Sequence, residues 1–239
     1  MYRDEFYKKY LTSVNYLQDN LEKNFDALVY FNENIEKTIP KNKNIKVLDI
    51  GCGYGSFLNT LKKRGYKNLF GVEKGEEQIK FLNSKGLNVF NLDIFEFLKN
   101  DKNNQYDLIT MFDVLEHFNK DEVVLLLSQI KEKLTDNVGL LIIRVPNGEA
   151  IFKGSIMYGD FTHETFFTKR SLIQIFNTYG FKEIEVYPDY QFGKSFKAKI
   201  AKLVFLSFVK LYKTLLYIEH HPSIEYFVPT QNIIGIIKK

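Results

Sequence analysis

Val47-Leu48-Asp49-Ile50-Gly51-Cys52-Gly53-Tyr54-Gly55 reads as a buried strand running straight into a glycine-rich turn. Ile45, Val47, Leu48 and Ile50 make a short apolar run of the kind a central parallel strand shows. Glycines then alternate at 51, 53 and 55. Phe57, Leu58 and Leu61 follow on one face of a helical pattern, with Lys62, Lys63 and Arg64 on the other and Gly65 as its C-cap. Strand, turn and helix make the first half of a βαβ unit. Residues without a Cβ let the backbone pass close to a ligand and present its N–H groups, and the helix N-terminus adds the positive end of its dipole. A pyrophosphate-binding turn has the spacing G-x-G-x-x-G. Here the pattern is Asp49-x-Gly51-x-Gly53-x-Gly55, and an acid two residues before the first glycine sits badly against a pyrophosphate. It suits a cationic or zwitterionic ligand, such as an amino-acid moiety.

Residues 69–73, Leu-Phe-Gly-Val-Glu, form a second short strand ending in an acid, and Glu73 lies 22 residues after Gly51. In doubly wound folds an acid at that point reaches ribose hydroxyls, and one carboxylate serves both oxygens of a diol with charge-assisted hydrogen bonds. Lys74 follows it and joins the candidate cofactor set. Gly75 opens a helix through Ile79, Phe81 and Leu82, ending near Gly86, and residues 87–90 read as a third strand. Residues 106–112 are a fourth strand, 121–134 a strong amphipathic helix, and 138–145 a fifth strand stopped by Pro146. A helix at 172–179, a strand at 181–187 and a last strand at 232–237 complete the pattern.

The Asp49–Gly55 motif resembles the first motif of the class I S-adenosylmethionine (SAM)-dependent methyltransferases, D/E-x-G-x-G-x-G. That resemblance implies a Rossmann-like α/β fold with a mostly parallel seven-stranded sheet and an antiparallel last strand. It also implies SAM as cofactor and S-adenosylhomocysteine as product. The cofactor set then comprises Asp49, Gly51, Cys52, Gly53, Gly55, Glu73 and Lys74, joined by four further positions. Asp93 matches an acid that meets the adenine amine, with Ile94 under the ring; an Asp there is otherwise a helix N-cap. Phe112 and Asp113 open the run Asp113-Val114-Leu115-Glu116-His117, similar to a D-x-L-E-H stretch that lines the methionine end of SAM and faces the acceptor.

Residues 146–168 form an irregular stretch after the fifth strand, where open α/β sheets concentrate function. The run Asp160-x-Thr162-His163-x-x-Phe166-Phe167-Thr168 resembles a methyltransferase subgroup acting on small molecules, sugars, lipids and quinones. His163 is the leading candidate for general base, or else a structural His tied to a carboxylate such as Asp160. His117 is a second candidate base, or a support for its loop. Tyr10, Asn147, Tyr158 and Asp160 are candidates for acceptor contact. An alcohol acceptor is protonated at neutral pH and needs a base within reach, and a His suits that by its pKa. The expected reaction is therefore methyl transfer to a hydroxyl of a small polar acceptor, a sugar or nucleotide-linked glycan precursor. The alternatives are N-methylation of a small amino compound and a catalytically silent SAM-binding partner protein.

The 239 residues suit one domain: a helical cap over 1–40, a SAM-binding core over 41–190 and 231–239, and a helical insertion over 191–230. Only four of the 33 basic residues are arginine, and the lysines are spread along the chain, which is not the footprint of nucleic-acid binding. An Asn-Pro-Pro-aromatic motif is absent, and Cys52 does not follow a proline, which also argues against methylation of nucleic acid. The single cysteine fits a reducing cytoplasm. No metal is expected, since His220 and His221 gather no further ligands. Residues 196–218 read as one helix with lysines at 197, 199, 202, 210 and 213. It covers the sheet, pairs with a second copy as a homodimer, or, less favoured, lies on an anionic membrane surface.

Overall fold

The computed structural model describes residues 6, 19–26, 33–101, 104–190, 195–218 and 225–239. Seven strands build one sheet: β1 (Lys46–Ile50), β2 (Asn68–Glu73), β3 (Val89–Asn91), β4 (Leu108–Phe112), β5 (Leu140–Pro146), β6 (Glu183–Pro188) and β7 (Asn232–Lys238). Their order is β3-β2-β1-β4-β5-β7-β6. Every pair among β1 to β5 is parallel, while β7 runs antiparallel between β5 and β6. The sheet therefore has the strand directions the resemblance implies. Strand edges differ from the sequence reading by a few residues. β4 begins at Leu108 because Tyr106 makes only an isolated bridge, to Leu134.

The helices are α1 (Asp19–Asp26), α2 (Glu33–Thr38), α3 (Ser56–Lys63), α4 (Glu76–Ser84), α5 (Ile94–Asn100), α6 (Lys120–Lys133), α7 (Gly154–Tyr158), α8 (Lys169–Thr178) and α9 (Phe196–Ile218), with a 3₁₀ turn at Leu115–His117. Alternation along the strands sends side chains to opposite faces. Leu48, Ile50, Ile109, Met111, Leu141 and Ile143 turn to one face, beneath Leu126 and Ile130 of α6 and Leu172 and Phe176 of α8. Val47, Leu108, Leu140 and Ile142 turn to the other, beneath Phe57, Leu58 and Leu61 of α3. Capping boxes fix two helix starts, Asn119 with Glu122 for α6 and Thr168 with Ser171 for α8.

The chain steps outward from β1 to β3, then crosses back to β4 beside β1. This reversal opens a crevice at the carboxyl ends of the two central strands. The candidate residues at 49–55, 73, 93 and 112–117 all lie at or just past the carboxyl ends of β1 to β4.

α9 does not cover the sheet. Val209 is its one buried residue, and it touches the body through Phe208 stacked on Phe152 and Tyr212 on Phe227. Among the described residues no helix is long and apolar enough to cross a membrane.

Asn147, expected at the acceptor, is 0 % exposed at the end of β5. Its Nδ2 donates to the carbonyls of Val228 at 2.7 Å and Thr230 at 2.9 Å, and its Oδ1 accepts from the Glu149 N–H at 3.1 Å. The side chain is a clamp that seats the approach to β7, with no donor left for an acceptor. Asn147→Ala strands two buried carbonyls and is expected to lower stability by about 2–4 kcal/mol in urea unfolding. A loss below about 0.5 kcal/mol would show that the clamp carries little weight.

Candidate active site

The turn after β1 hangs on β2: the N–H groups of Gly51 and Cys52 both donate to the Val72 carbonyl, at 2.8 and 3.1 Å. Gly51, Gly53 and Gly55 have φ of +63°, +53° and +71°. A Cβ on Gly51 would lie 2.5 Å from Val114 Cγ2, and one on Gly55 2.6 Å from Leu82 Cδ2. Two of the three positions thus exclude a side chain by contact as well as by torsion. A Cβ on Gly53 would meet nothing within 4 Å, so this part of the turn opens outward. Cys52 contributes its backbone to the turn, while its thiol is buried beneath Gly71, and burial pushes its pKa well up.

Asp49 and Thr110 are register partners on β1 and β4. The Thr110 hydroxyl donates to Asp49 Oδ1 at 2.6 Å. Burial raises the Asp49 carboxyl to about 7; the Thr110 bond opposes this and the Glu73 charge adds to it. Glu73 Oε1 accepts from the N–H groups of Lys74 and Gly75, both at 2.8 Å, and Oε2 from that of Gly53 at 2.9 Å. Burial still raises its pKa against these three bonds. Asp93 caps α5 by accepting from the Phe95 N–H at 2.9 Å, and its second oxygen faces Lys74 Nζ at 3.4 Å. Ile94 is buried in the core.

Beyond β4 the chain tightens. Asp113 holds a left-handed φ of +57°, uncommon for a residue with a side chain. Its carboxylate pairs with Arg144 of β5, which also donates from Nε to Asp189 at 2.7 Å. The Phe112 ring is buried edge-on against Phe57 at 5.0 Å, so its side chain belongs to the core.

The 157–165 segment is stitched over the 3₁₀ turn. The Glu116 carbonyl accepts from the N–H groups of Glu164 at 2.8 Å and Thr165 at 3.0 Å, and the Phe118 carbonyl from the Thr165 hydroxyl at 2.6 Å. Asp160 Oδ1 accepts from the Thr162 hydroxyl at 2.6 Å and its N–H at 2.8 Å. That hydroxyl, having spent its proton, accepts from His117 Nδ1 at 2.8 Å. Asp160 therefore orients His117 and not His163. His163 Nδ1 donates to the Met157 carbonyl at 3.0 Å, which leaves Nε2 as the basic atom of its ring, 4.0 Å from Glu116 Oε1. The two imidazoles meet edge to face at 4.9 Å. Burial lowers His117 to about 4, with the neighbouring His163 adding to it, so His117 is neutral.

Sequence reading missed three contributors: Thr110, Thr162 and Glu116. Thr110 shows only once the β1–β4 register is known. Glu116 stood in the Asp113–His117 run without a role. Tyr158 is exposed and packs on Phe166. Tyr10 and the His220-His221 pair lie outside the described residues.

The sign of the Asp49 shift makes a prediction. Its folded pKa of about 7 exceeds the unfolded value of about 3.9. The ligand-free fold therefore prefers the protonated form, and its contribution is complete below about pH 4 and lost as pH rises through 7. Asp49→Asn is expected to remove that slope and to be the more stable protein at pH 8, by an amount on the order of a few kcal/mol in urea unfolding. Equal pH slopes in both proteins would contradict a protonated buried Asp49.

A family model described as a methyltransferase domain matches residues 17–186. No curated protein matches the sequence significantly. Among solved structures, the chain is similar to a SAM-dependent methyltransferase from Archaeoglobus fulgidus, at 24% identity over 86% of this chain and 91% of that one, with a TM-score of 0.66. It is also similar to a phosphoethanolamine N-methyltransferase from Haemonchus contortus, at 15% identity over 97% and 60% of the two chains, TM-score 0.61. A third similar structure is a putative O-methyltransferase from Nostoc punctiforme, at 16% identity over 86% and 55%, TM-score 0.56. The match over residues 17–186, on a sheet of this order, makes the chain a member of the methyltransferase-domain family with the class I SAM-dependent fold.

Proposed function

We propose that the protein transfers a methyl group from SAM to a hydroxyl of a small polar acceptor, a sugar or nucleotide-linked glycan precursor, with His163 taking the hydroxyl proton. The observation that carries the reading is the pairing of the glycine turn and buried acids with a histidine, held over the turn after β4, whose Nδ1 is spent on a backbone carbonyl. The residues present fit the cofactor: an open turn at Gly53, acids at the ends of β1 and β2, and backbone N–H groups set by left-handed glycines. SAM supplies a methyl group on a sulfonium carbon, open to in-line displacement.

In this reading Asp49 favours the cationic end of the cofactor, and Glu73, already fixed by three backbone bonds, presents its remaining lone pairs to the ribose diol. Lys74 and Asp93 pair across the ends of β2 and β3 and border the adenine side. The Met157 carbonyl holds the His163 tautomer, so Nε2 is the atom that accepts the proton as the acceptor oxygen attacks. A methionine carbonyl does for His163 what a carboxylate does in many catalytic His pairs, without adding charge.

Calorimetric titration is expected to show binding of SAM and S-adenosylhomocysteine, none of NAD, and loss of SAM binding in Glu73→Ala. His163→Ala is expected to bind SAM near normally and lose turnover 10²-fold or more in a screen of sugars, nucleotide conjugates and amines. Binding of NAD alone overturns the cofactor. Full turnover by His163→Ala on an alcohol overturns its role.

A further inference from the structure

We infer that Glu116, His117 and His163 form a binding site for one divalent transition-metal ion, against the sequence expectation of no metal. The carboxylate of Glu116 is 1 % exposed and neither of its oxygens has a hydrogen-bond partner. A buried carboxyl group left in that condition costs more than almost any other side-chain placement. Its neighbours on the side of the 157–165 segment are the imidazoles of His117 and His163. One ligand atom from each of the three residues lies within 4.8 Å of the others. Metal–ligand lengths of about 2.0–2.2 Å place ligand atoms about 3–3.5 Å apart, so an inward movement of about 1 Å completes the geometry.

Contacts around the cluster fix its side chains, the His117 ring also meeting the Asp113 backbone, a contact that an ion would have to displace. His163 Nδ1 is committed to the Met157 carbonyl, which turns Nε2 toward Glu116. His117 is held through Thr162 by Asp160, the carboxylate-backed histidine arrangement that metal ligands share. The backbone of Glu116 itself carries the 164–165 segment, so the loop that brings His163 is fastened to the turn that brings the other two ligands. Two imidazoles and one carboxylate suit zinc, manganese or iron(II) better than magnesium or calcium, which favour oxygen donors. Three protein ligands leave positions open. Where the hydroxyl-acceptor reading holds, and only there, the acceptor oxygen fills one of them. An ion held there would polarise that hydroxyl and let its proton pass to solvent; the base role given to His163 above is that of the metal-free protein, since Nε2 cannot hold an ion and take a proton at once.

The test reads metal binding, not turnover, so it stands apart from the choice of acceptor. The full chain, stripped with chelator, is titrated with MnCl2 by electron paramagnetic resonance and with ZnCl2 by calorimetry. One ion per chain and a raised melting temperature are expected, with at least a tenfold loss of affinity in Glu116→Gln and in His163→Ala. Both variants are checked for folding by circular dichroism without metal, and His163→Ala keeps the test decisive where Glu116→Gln does not fold. Absence of binding, or binding unchanged by His163→Ala, overturns the site. Intact metal binding with no SAM binding leaves the site standing and removes the proposed reaction.

A separate observation concerns α9. Its packed stripe is Ala198, Phe205, Val209, Tyr212 and Leu216, at helical spacing. The opposite stripe, Phe196, Ile200, Leu203, Val204, Leu211 and Leu215, is exposed, Leu203 by 68 %. The helix carries five lysines and no acid. A helix pair would set like charges side by side, whereas an anionic lipid surface meets both the apolar stripe and the lysines. We propose that α9 docks the protein on anionic membranes. Co-sedimentation of the full chain with phosphatidylglycerol-containing vesicles is expected, much less with pure phosphatidylcholine, and several-fold less for the Leu203→Glu/Leu211→Glu variant. Failure to sediment, or a dimer in size-exclusion chromatography that this variant dissolves, overturns it.

Discussion

The chain turns from β1 into α3 with its backbone pressed against Val114 at Gly51 and against Leu82 at Gly55, where there is no room for a side chain. The Val72 carbonyl takes two N–H groups from that turn, and this double bond anchors the first loop of the crevice to the second strand. Glu73, one residue further along β2, reaches back to the N–H of Gly53. The turn and the acid are therefore a single unit, and the distance between them is set by strand register. A Cβ at Gly51 would push on Val114, which leads directly into the turn holding Glu116 and His117.

Polar groups in the crevice are held in a state that suits a ligand better than the empty protein. Burial pushes Asp49, Glu73 and Glu116 toward their neutral forms and His117 toward its uncharged form. Surface ion pairs such as Lys37 with Glu33 on α2 are exposed and weak by comparison. The difference separates groups that serve stability from groups that cost it.

The fold was legible because its strands are short apolar runs punctuated by Gly, Pro and acids, and because 3.6-residue periodicity marks α3, α6 and α8. The left-handed glycines and the acid ending β2 were legible for the same reason: each is local. What stayed hidden depends on pairings across many residues. Thr110 meets Asp49 through strand register, Thr162 joins Asp160 to His117, and Asn147 looked like a loop residue until the 228–230 segment closed on it. The spacing pointed to His163 as a base facing the acceptor or a residue tied to a carboxylate; in the fold its Nδ1 partner is the Met157 carbonyl and its neighbour the Glu116 carboxylate, neither of which the spacing singled out.

The position of β7 has a consequence for how the chain assembles. β7 lies between β5 and β6, although both precede it in the chain. Until β7 arrives, β5 has an open edge and β6 has no strand to pair with. The sheet therefore cannot be completed during synthesis of its first 230 or so residues, and the α9 segment must be made and set aside first. Closing so distant a pairing is slow by nature. Nascent chains are thus born with a sticky half-sheet, and the long lysine-bearing helix emerges from the ribosome before the strand that would protect that edge.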